Sequence, residues 1–177
     1  MRIVSGKFKG RTFSVPSGFP SRPTTDFAKE GLFNILNNQL DYDGIRVLDL
    51  CAGTGNISFE FISRGAELVT AVDKNRKVSS WITVNASKLG VTEQVKVVNM
   101  DCLGFLQKCT QQFDVIFADP PFEVSIHSQL KMAVFSRNLL REGGLMIIEH
   151  GKQTSLSEET NFVNKRTFGN VNFSFFQ

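Results

Sequence analysis

From Arg46 to Glu149 the chain repeats one unit: a short apolar run rich in β-branched residues, a turn, then a helical stretch. Candidate strands are Arg46–Leu50, Leu68–Asp73, Val95–Asn99, Phe113–Ala118 and Leu145–Glu149. Candidate helices between them are Asn56–Arg64, Asn75–Leu89, Leu103–Lys108 and Ser128–Leu140. Such continuous apolar runs suit strands buried on both faces, which requires helices on either side of the sheet. The alternation therefore restricts the chain to an open α/β sheet, mostly parallel, with right-handed crossovers. The tail departs from this pattern. Lys165–Phe168 and Val171–Phe176, separated by Gly169-Asn170, read as a C-terminal antiparallel hairpin closing a Rossmann-like sheet.

Upstream of the repeat, Arg2 to Val15 alternates loosely around Gly6 and Gly10 and reads as a β-hairpin or two short strands. Pro16 to Pro20 is a turn. An amphipathic helix follows, with Phe27, Leu32, Phe33, Ile35 and Leu36 on its apolar side, Thr25 or Asp26 as N-cap and Glu30 in its first turn. Charge divides the chain at the same place. Residues 1–25 carry Arg2, Lys7, Lys9, Arg11 and Arg22 and no acidic residue, whereas the remainder holds 15 basic and 17 acidic residues. The organisation expected is a basic arm over 1–25 and a catalytic domain over 26–177. A positive arm on a near-neutral body suits nucleic-acid phosphates.

At 177 residues the chain is long enough for a single well-buried core. No run approaches a membrane span, and the opening residues lack the apolar core of a signal peptide. Three cysteines without a Cys-x-x-Cys pair suggest neither a disulfide framework nor a metal site. The expectation is a cytoplasmic monomer with no membrane partner and no metal.

The chemistry concentrates at strand ends. Phe113 to Ala118 runs into Asp119-Pro120-Pro121-Phe122, where two prolines stop the strand and hold an extended carboxylate at its carboxyl end. Ligands bind at that edge of open α/β sheets. A carboxylate there can accept a hydrogen bond from an amino group, and Phe122 offers a ring on which a base can stack. Val47 to Gly55 is a strand followed by a glycine-rich turn (Ala52, Gly53, Gly55), and Asp73 ends the next strand 18 residues after Gly55. That spacing brings a carboxylate to ribose hydroxyls. A dinucleotide fingerprint would need glycine where this chain has Ser58, and it has no use for Asp49. Asp49 would repel a pyrophosphate but suits the ammonium end of S-adenosylmethionine (SAM). Asp101, after the third strand, is positioned for an adenine amine.

Asp49…Gly53-x-Gly55, Asp73, Asp101 and Asp119-Pro120-Pro121-Phe122 resemble the motif series of class I SAM-dependent amino methyltransferases. The Pro-Pro-aromatic box marks enzymes that methylate an exocyclic base nitrogen, although some protein-glutamine methyltransferases share it. The N-terminal run Arg2 to Arg11, then Arg22-Pro23-Thr24-Thr25-Asp26 and Lys29 to Leu36, resembles the bacterial RsmD family nearly end to end. Those enzymes methylate N2 of one guanine in small-subunit (16S) ribosomal RNA. The resemblance implies Asp119, Pro120, Pro121 and Phe122 as the catalytic set, and Asp49, Ala52, Gly53, Gly55, Asp73, Lys74, Asp101 and Cys102 around the cofactor. It implies Arg2, Lys7, Lys9, Arg11, Arg22, Thr24 and Thr25 against ribosomal RNA, within a small-subunit assembly particle. Two departures are visible: Phe122 stands where the family usually has Tyr, and Phe27-Ala28 replaces Arg-Val. An adenine-N6 or other amino methyltransferase, and a non-catalytic RNA-binding assembly factor, are the competing readings. Cytosine-C5 chemistry is disfavoured because no Pro-Cys occurs.

Overall fold

The computed structural model describes residues 1–21, 24–120 and 124–177. Within them the order is α1 (Asp26–Leu36), β1 (Arg46–Leu50), α2 (Asn56–Arg64), β2 (Leu68–Asp73), α3 (Arg76–Leu89), β3 (Val95–Asn99), α4 (Cys102–Lys108), β4 (Phe113–Ala118), α5 (Val124–Ser136), β5 (Leu140–Gly151), β6 (Phe162–Phe168) and β7 (Val171–Phe176). The strands form one seven-stranded sheet in the order β3-β2-β1-β4-β5-β7-β6. β1 to β5 pair in parallel, and β7 runs antiparallel to both β5 and β6. The Rossmann-like sheet with its closing hairpin is therefore the architecture present. Because β2 and β3 leave β1 on one side and β4 and β5 on the other, the topological switch point lies between β1 and β4. Ligands enter such sheets there.

Two cores account for the apolar runs. Val47, Val69, Ala71, Val115, Phe117 and Ile147 face one cluster with α1, α2 and α3. Leu48, Val72, Ile116, Ala118, Met146 and Ile148 face the other with α4 and α5. Neighbouring residues point to opposite faces and both faces are covered, so nearly every strand position must be apolar.

Several boundaries differ from the sequence reading. β5 starts at Leu140 rather than Leu145: Leu140 pairs with Phe113, and the register then shifts so that Leu145 pairs with Val115. Gly143, at φ +73°, turns the chain within that irregular stretch. α5 accordingly spans Val124–Ser136 rather than Ser128–Leu140. Asn138 adopts φ +51°, and the Leu139 carbonyl already accepts from the Phe113 N–H at 2.9 Å. In α1, Thr25 is the N-cap, accepting from the Ala28 N–H at 3.3 Å, and Ala28, Lys29, Leu32, Phe33 and Leu36 are buried. Phe27 is 66% exposed, its ring edge-on to that of Phe168 at 6.0 Å, and Ile35 is half-buried.

The expected N-terminal hairpin reduces to a single antiparallel bridge, Arg2 to Thr12, within a run of turns. Glu60 of α2 holds it down. This fully buried carboxylate accepts from the Val4 and Ser5 N–H groups at 2.9 and 3.1 Å and pairs with Arg64 at 2.9 Å and buried Lys29 at 3.4 Å. Gly6 allows the closest approach. At φ +79°, its Cβ would lie 1.9 Å from the Ser63 carbonyl oxygen. Among the described residues no helix is long and apolar enough to cross a membrane.

Candidate active site

The carboxyl ends of β1, β2, β4 and β5 bring four acidic side chains to one edge. Asp49 pairs with Ala71 and Phe117 in the adjacent strands, so Asp73 and Asp119 follow on either side of the β1 turn. The Asp119 N–H donates to the Leu50 carbonyl at 3.2 Å, which fixes the backbone as it leaves the sheet for Pro120. Because Ala118 pairs with Ile148, Glu149 on β5 stands alongside Asp119.

Asp49 is 1% exposed and accepts from the Ser58 hydroxyl at 2.5 Å. Ser58 thus occupies the position of the missing fingerprint glycine and supports the carboxylate instead. Burial pushes the Asp49 carboxyl up to about 7, against the Ser58 hydrogen bond, with Asp119 and Asp73 adding repulsion. The turn beyond it is built for close approach. Gly55 caps α2 at φ +73° with no side-chain cap, leaving the helix N-terminus open to the turn. Ala52 is buried, its N–H donating to the Val72 carbonyl at 3.0 Å. Asp73 accepts from the Gly53 N–H at 3.1 Å and the Asn75 N–H at 2.8 Å, one bond to each oxygen. A carboxylate has about four acceptor positions, so capacity for hydroxyl donors remains.

Asp101 is exposed and caps α4, accepting from the Gly104 N–H at 3.0 Å. Its capping role is therefore structural fact, whatever else it binds. Cys102 follows it into the buried layer, where its Sγ lies 3.0 Å from Sγ of Cys51, a residue held at φ +61°. Lys74 is exposed beside Asp73.

Asp119 is half-buried at the rim, and burial together with Glu149 holds its carboxyl well above the usual carboxylate range. Glu149 is 7% exposed, with its own carboxyl pushed to about 7 by burial, opposed by a hydrogen bond from Thr24 and reinforced by Asp49. Sequence reasoning overlooked Glu149, because a charged residue ending a strand ordinarily faces water. Its partner lies far away in sequence: the Thr24 hydroxyl donates to Glu149 at 3.0 Å. The Thr24 carbonyl accepts from the Asn56 side chain at 2.8 Å, and Asn56 in turn accepts from Lys29 at 2.7 Å. A buried polar chain thus runs from the carboxylate edge to the ion pair under the arm.

Among the described residues, Lys7, Lys9 and Arg11 of the arm do not gather at this edge. Lys7 and Phe8 donate backbone N–H bonds to Ser63 at 2.6 and 2.9 Å, in the last turn of α2. α2 crosses from the carboxyl edge of β1 to the start of β2, and its nine residues span about 13 Å. Lys7, Lys9 and Arg11 are exposed on the arm tip, toward the far end of that helix. Arg2 is occupied by Asp26 at 3.0 Å and Glu30 at 3.3 Å. Arg22, Pro121 and Phe122 lie outside the described residues.

The family model described as conserved hypothetical protein 95 matches residues 1–177. The chain belongs to the RsmD family. One RsmD relative, ribosomal RNA small subunit methyltransferase D of Haemophilus influenzae, is 32% identical over 100% of this chain and 93% of its own. The Escherichia coli protein of that name is 30% identical over 88% of this chain and 77% of its own. The solved structure of the Escherichia coli protein yhhF superposes with a TM-score of 0.86 at 27% identity, covering 100% of this chain and 97% of that one.

SAM, the cofactor expected of an RsmD protein, fits this edge. The Thr54 and Ser21 hydroxyls are buried at the glycine turn and find no partner among the described residues. The carboxylates of Asp49 and Asp73 keep acceptor positions beyond their bonds from Ser58 and from Gly53 and Asn75. The carboxyl of Asp49, near neutrality without a ligand, becomes a full carboxylate once a cation faces it.

Proposed function

We propose that this chain transfers a methyl group from SAM to the exocyclic N2 of a guanine in small-subunit ribosomal RNA. The relatives named ribosomal RNA small subunit methyltransferase D support the substrate class. The observation that carries the reading is Asp119, anchored through its own N–H to β1 at the switch point and followed directly by Pro120.

When bound, SAM supplies a methyl group already activated on sulfonium, so no covalent enzyme intermediate is required. Asp49 pairs with the ammonium, Asp73 takes the ribose hydroxyls, and Gly53 and Gly55 permit close backbone approach. Ala52, Lys74, Asp101 and Cys102 border the same site. Asp119 and the Pro120 carbonyl accept hydrogen bonds from the guanine amine, localising its nitrogen lone pair and stabilising the positive charge that develops on transfer. Phe122 stacks on the base, which must leave its own stack to reach this edge. Alignment of nitrogen and methyl carbon does the rest of the work.

Residues 1–25 act as an RNA-facing arm on the catalytic domain 26–177, with Lys7, Lys9, Arg11 and Arg22 as its phosphate contacts. Thr24 and Thr25 serve chiefly to seat that arm. The enzyme acts as a cytoplasmic monomer on RNA within a small-subunit assembly particle.

The test is to map base methylation in ribosomal RNA from cells with and without the gene, and after adding purified protein and SAM. One guanine should lose its N2 methyl group in the deletion and regain it in vitro. Loss of an N6-methyladenine instead would establish the competing amino methyltransferase, and an unchanged map would leave only a binding role.

A further inference from the structure

A second concave surface lies beside the glycine turn, with none of the carboxylate-edge residues in its wall. It is a groove of about 610 Å³ between residues 16–20 and the first turns of α3. That volume falls within the range of about 300–1,000 Å³ typical of small-ligand sites. Phe19 and Trp81 meet at 5.4 Å in a tilted pair, and Pro20 and Val84 extend the apolar wall. Arg76 and Lys77 are exposed at its edge, and no acidic residue lines it. Neither cation belongs to an ion pair among the described residues.

The groove is mechanically continuous with the active edge. The Trp81 indole N–H donates to the Thr54 carbonyl in the glycine turn at 3.2 Å. Ser21, directly after the groove wall, lies so close to Gly53 that a Cβ there would sit 3.0 Å from its hydroxyl. Arg76 follows Asp73 by three residues. A flat apolar surface bordered only by cations suits a base with its phosphate: the ring stacks while the guanidinium and ammonium face the anion. A peptide segment would satisfy the apolar wall but leave both cations without partners.

We propose that this groove binds an unpaired nucleotide of the substrate RNA outside the target base, stacking it on Phe19 and Trp81 and holding its phosphate with Arg76 and Lys77. The proposal rests on the RNA substrate proposed above and adds a second anchor, on the opposite side of the glycine turn from Asp119. Two anchors fix the direction of the strand across the active edge, which a flipped base alone does not.

Trp81 is the only tryptophan in the chain, so its fluorescence reports on the groove directly. The full-length protein, saturated with S-adenosylhomocysteine, is titrated with a short unstructured RNA oligonucleotide at several salt concentrations. RNA should quench the emission to saturation. Phe19→Leu should weaken binding by about five- to hundredfold, the range spanned by removing one base–aromatic stack. Combined Arg76→Ala and Lys77→Ala should reduce the slope of log K against log salt by roughly 0.7, the value for one phosphate neutralised on a single strand. Affinity for S-adenosylhomocysteine, measured calorimetrically, should stay unchanged in each variant. RNA binding without quenching, or with the wild-type salt slope in the double variant, overturns the groove assignment while leaving the proposed function standing. Quenching by an apolar peptide but not by RNA assigns the groove to a protein partner and overturns it too. Absence of any RNA binding removes the proposed function, and this site with it.

Discussion

The Thr24 hydroxyl donates to the buried Glu149 carboxylate at 3.0 Å and so joins the end of the arm to β5, beside Asp119. Three carboxyls, Asp49, Asp119 and Glu149, are held above their ordinary range at this edge, each chiefly by burial. A cluster of this kind is unfavourable for the protein alone and becomes favourable when cations or amines arrive.

Glu149→Gln keeps an acceptor for Thr24 and removes the charge that raises the Asp119 carboxyl. The acid limb of the pH–rate profile should move to lower pH, because burial alone is then left to raise the Asp119 carboxyl. The variant should also be more stable than wild type at pH 8. Glu149 binds its proton up to about pH 7 when folded but only to about 4.5 when unfolded, so its unfavourable contribution grows through that window and is complete above 7. Thermal melts at pH 5 and pH 8 check the second point, with the difference between variants confined to the higher pH.

SAM binding should be linked to proton release from Asp49. With the carboxyl near 7 before ligand binds, pairing with the ammonium requires the ionised form, so affinity falls as pH drops below 7. Calorimetry in two buffers of different ionisation enthalpy measures the protons released, expected to be about half a proton at pH 7. Asp49→Asn should abolish the linkage and weaken binding by about 1–3 kcal/mol.

Lys29→Met tests the anchor beneath the arm. It leaves Glu60 buried with one cation fewer, although Arg64 and the Val4 and Ser5 N–H groups still face it. Removing one partner of a buried pair costs about 3–5 kcal/mol, and the remaining partners place this one near 3. Urea unfolding should show a lower midpoint at an unchanged slope.

On the arm itself, neutralising Lys7, Lys9 and Arg11 should flatten the salt dependence of RNA affinity by about one unit for each phosphate left unneutralised. Arg2→Ala should change it least, because Asp26 and Glu30 already occupy that guanidinium.

The strands β1 to β4 and helix α2 have the boundaries expected of them, because a strand covered on both faces has to be apolar throughout and its limits show in composition. Leu140 reads as the end of a helix, yet it opens β5, since a short apolar stretch looks alike in either setting. The placement of Asp49, Asp73 and Asp119 at strand ends, and of Gly53 in the turn after β1, was legible because apolar runs mark where the strands stop. Lys29, Glu60 and Glu149 were not. Charged residues read as solvent-facing, and here the arm and the Thr24 segment bury them through contacts 27 to 125 residues apart in sequence. The arm's polarity was legible, but its docking direction depended on Gly6 meeting Ser63, a long-range contact with no local signature.

The most direct test concerns Asp119. Asp119→Ala, assayed on small-subunit RNA with SAM, should lower turnover by about 10²–10³ while leaving SAM affinity within about twofold, because one preorganised hydrogen-bonding group acts mainly in the transition state. Asp119→Asn should retain part of the activity through its remaining acceptor oxygen. Methylation by Asp119→Ala at the wild-type rate would contradict the assignment of the chemistry to the end of β4.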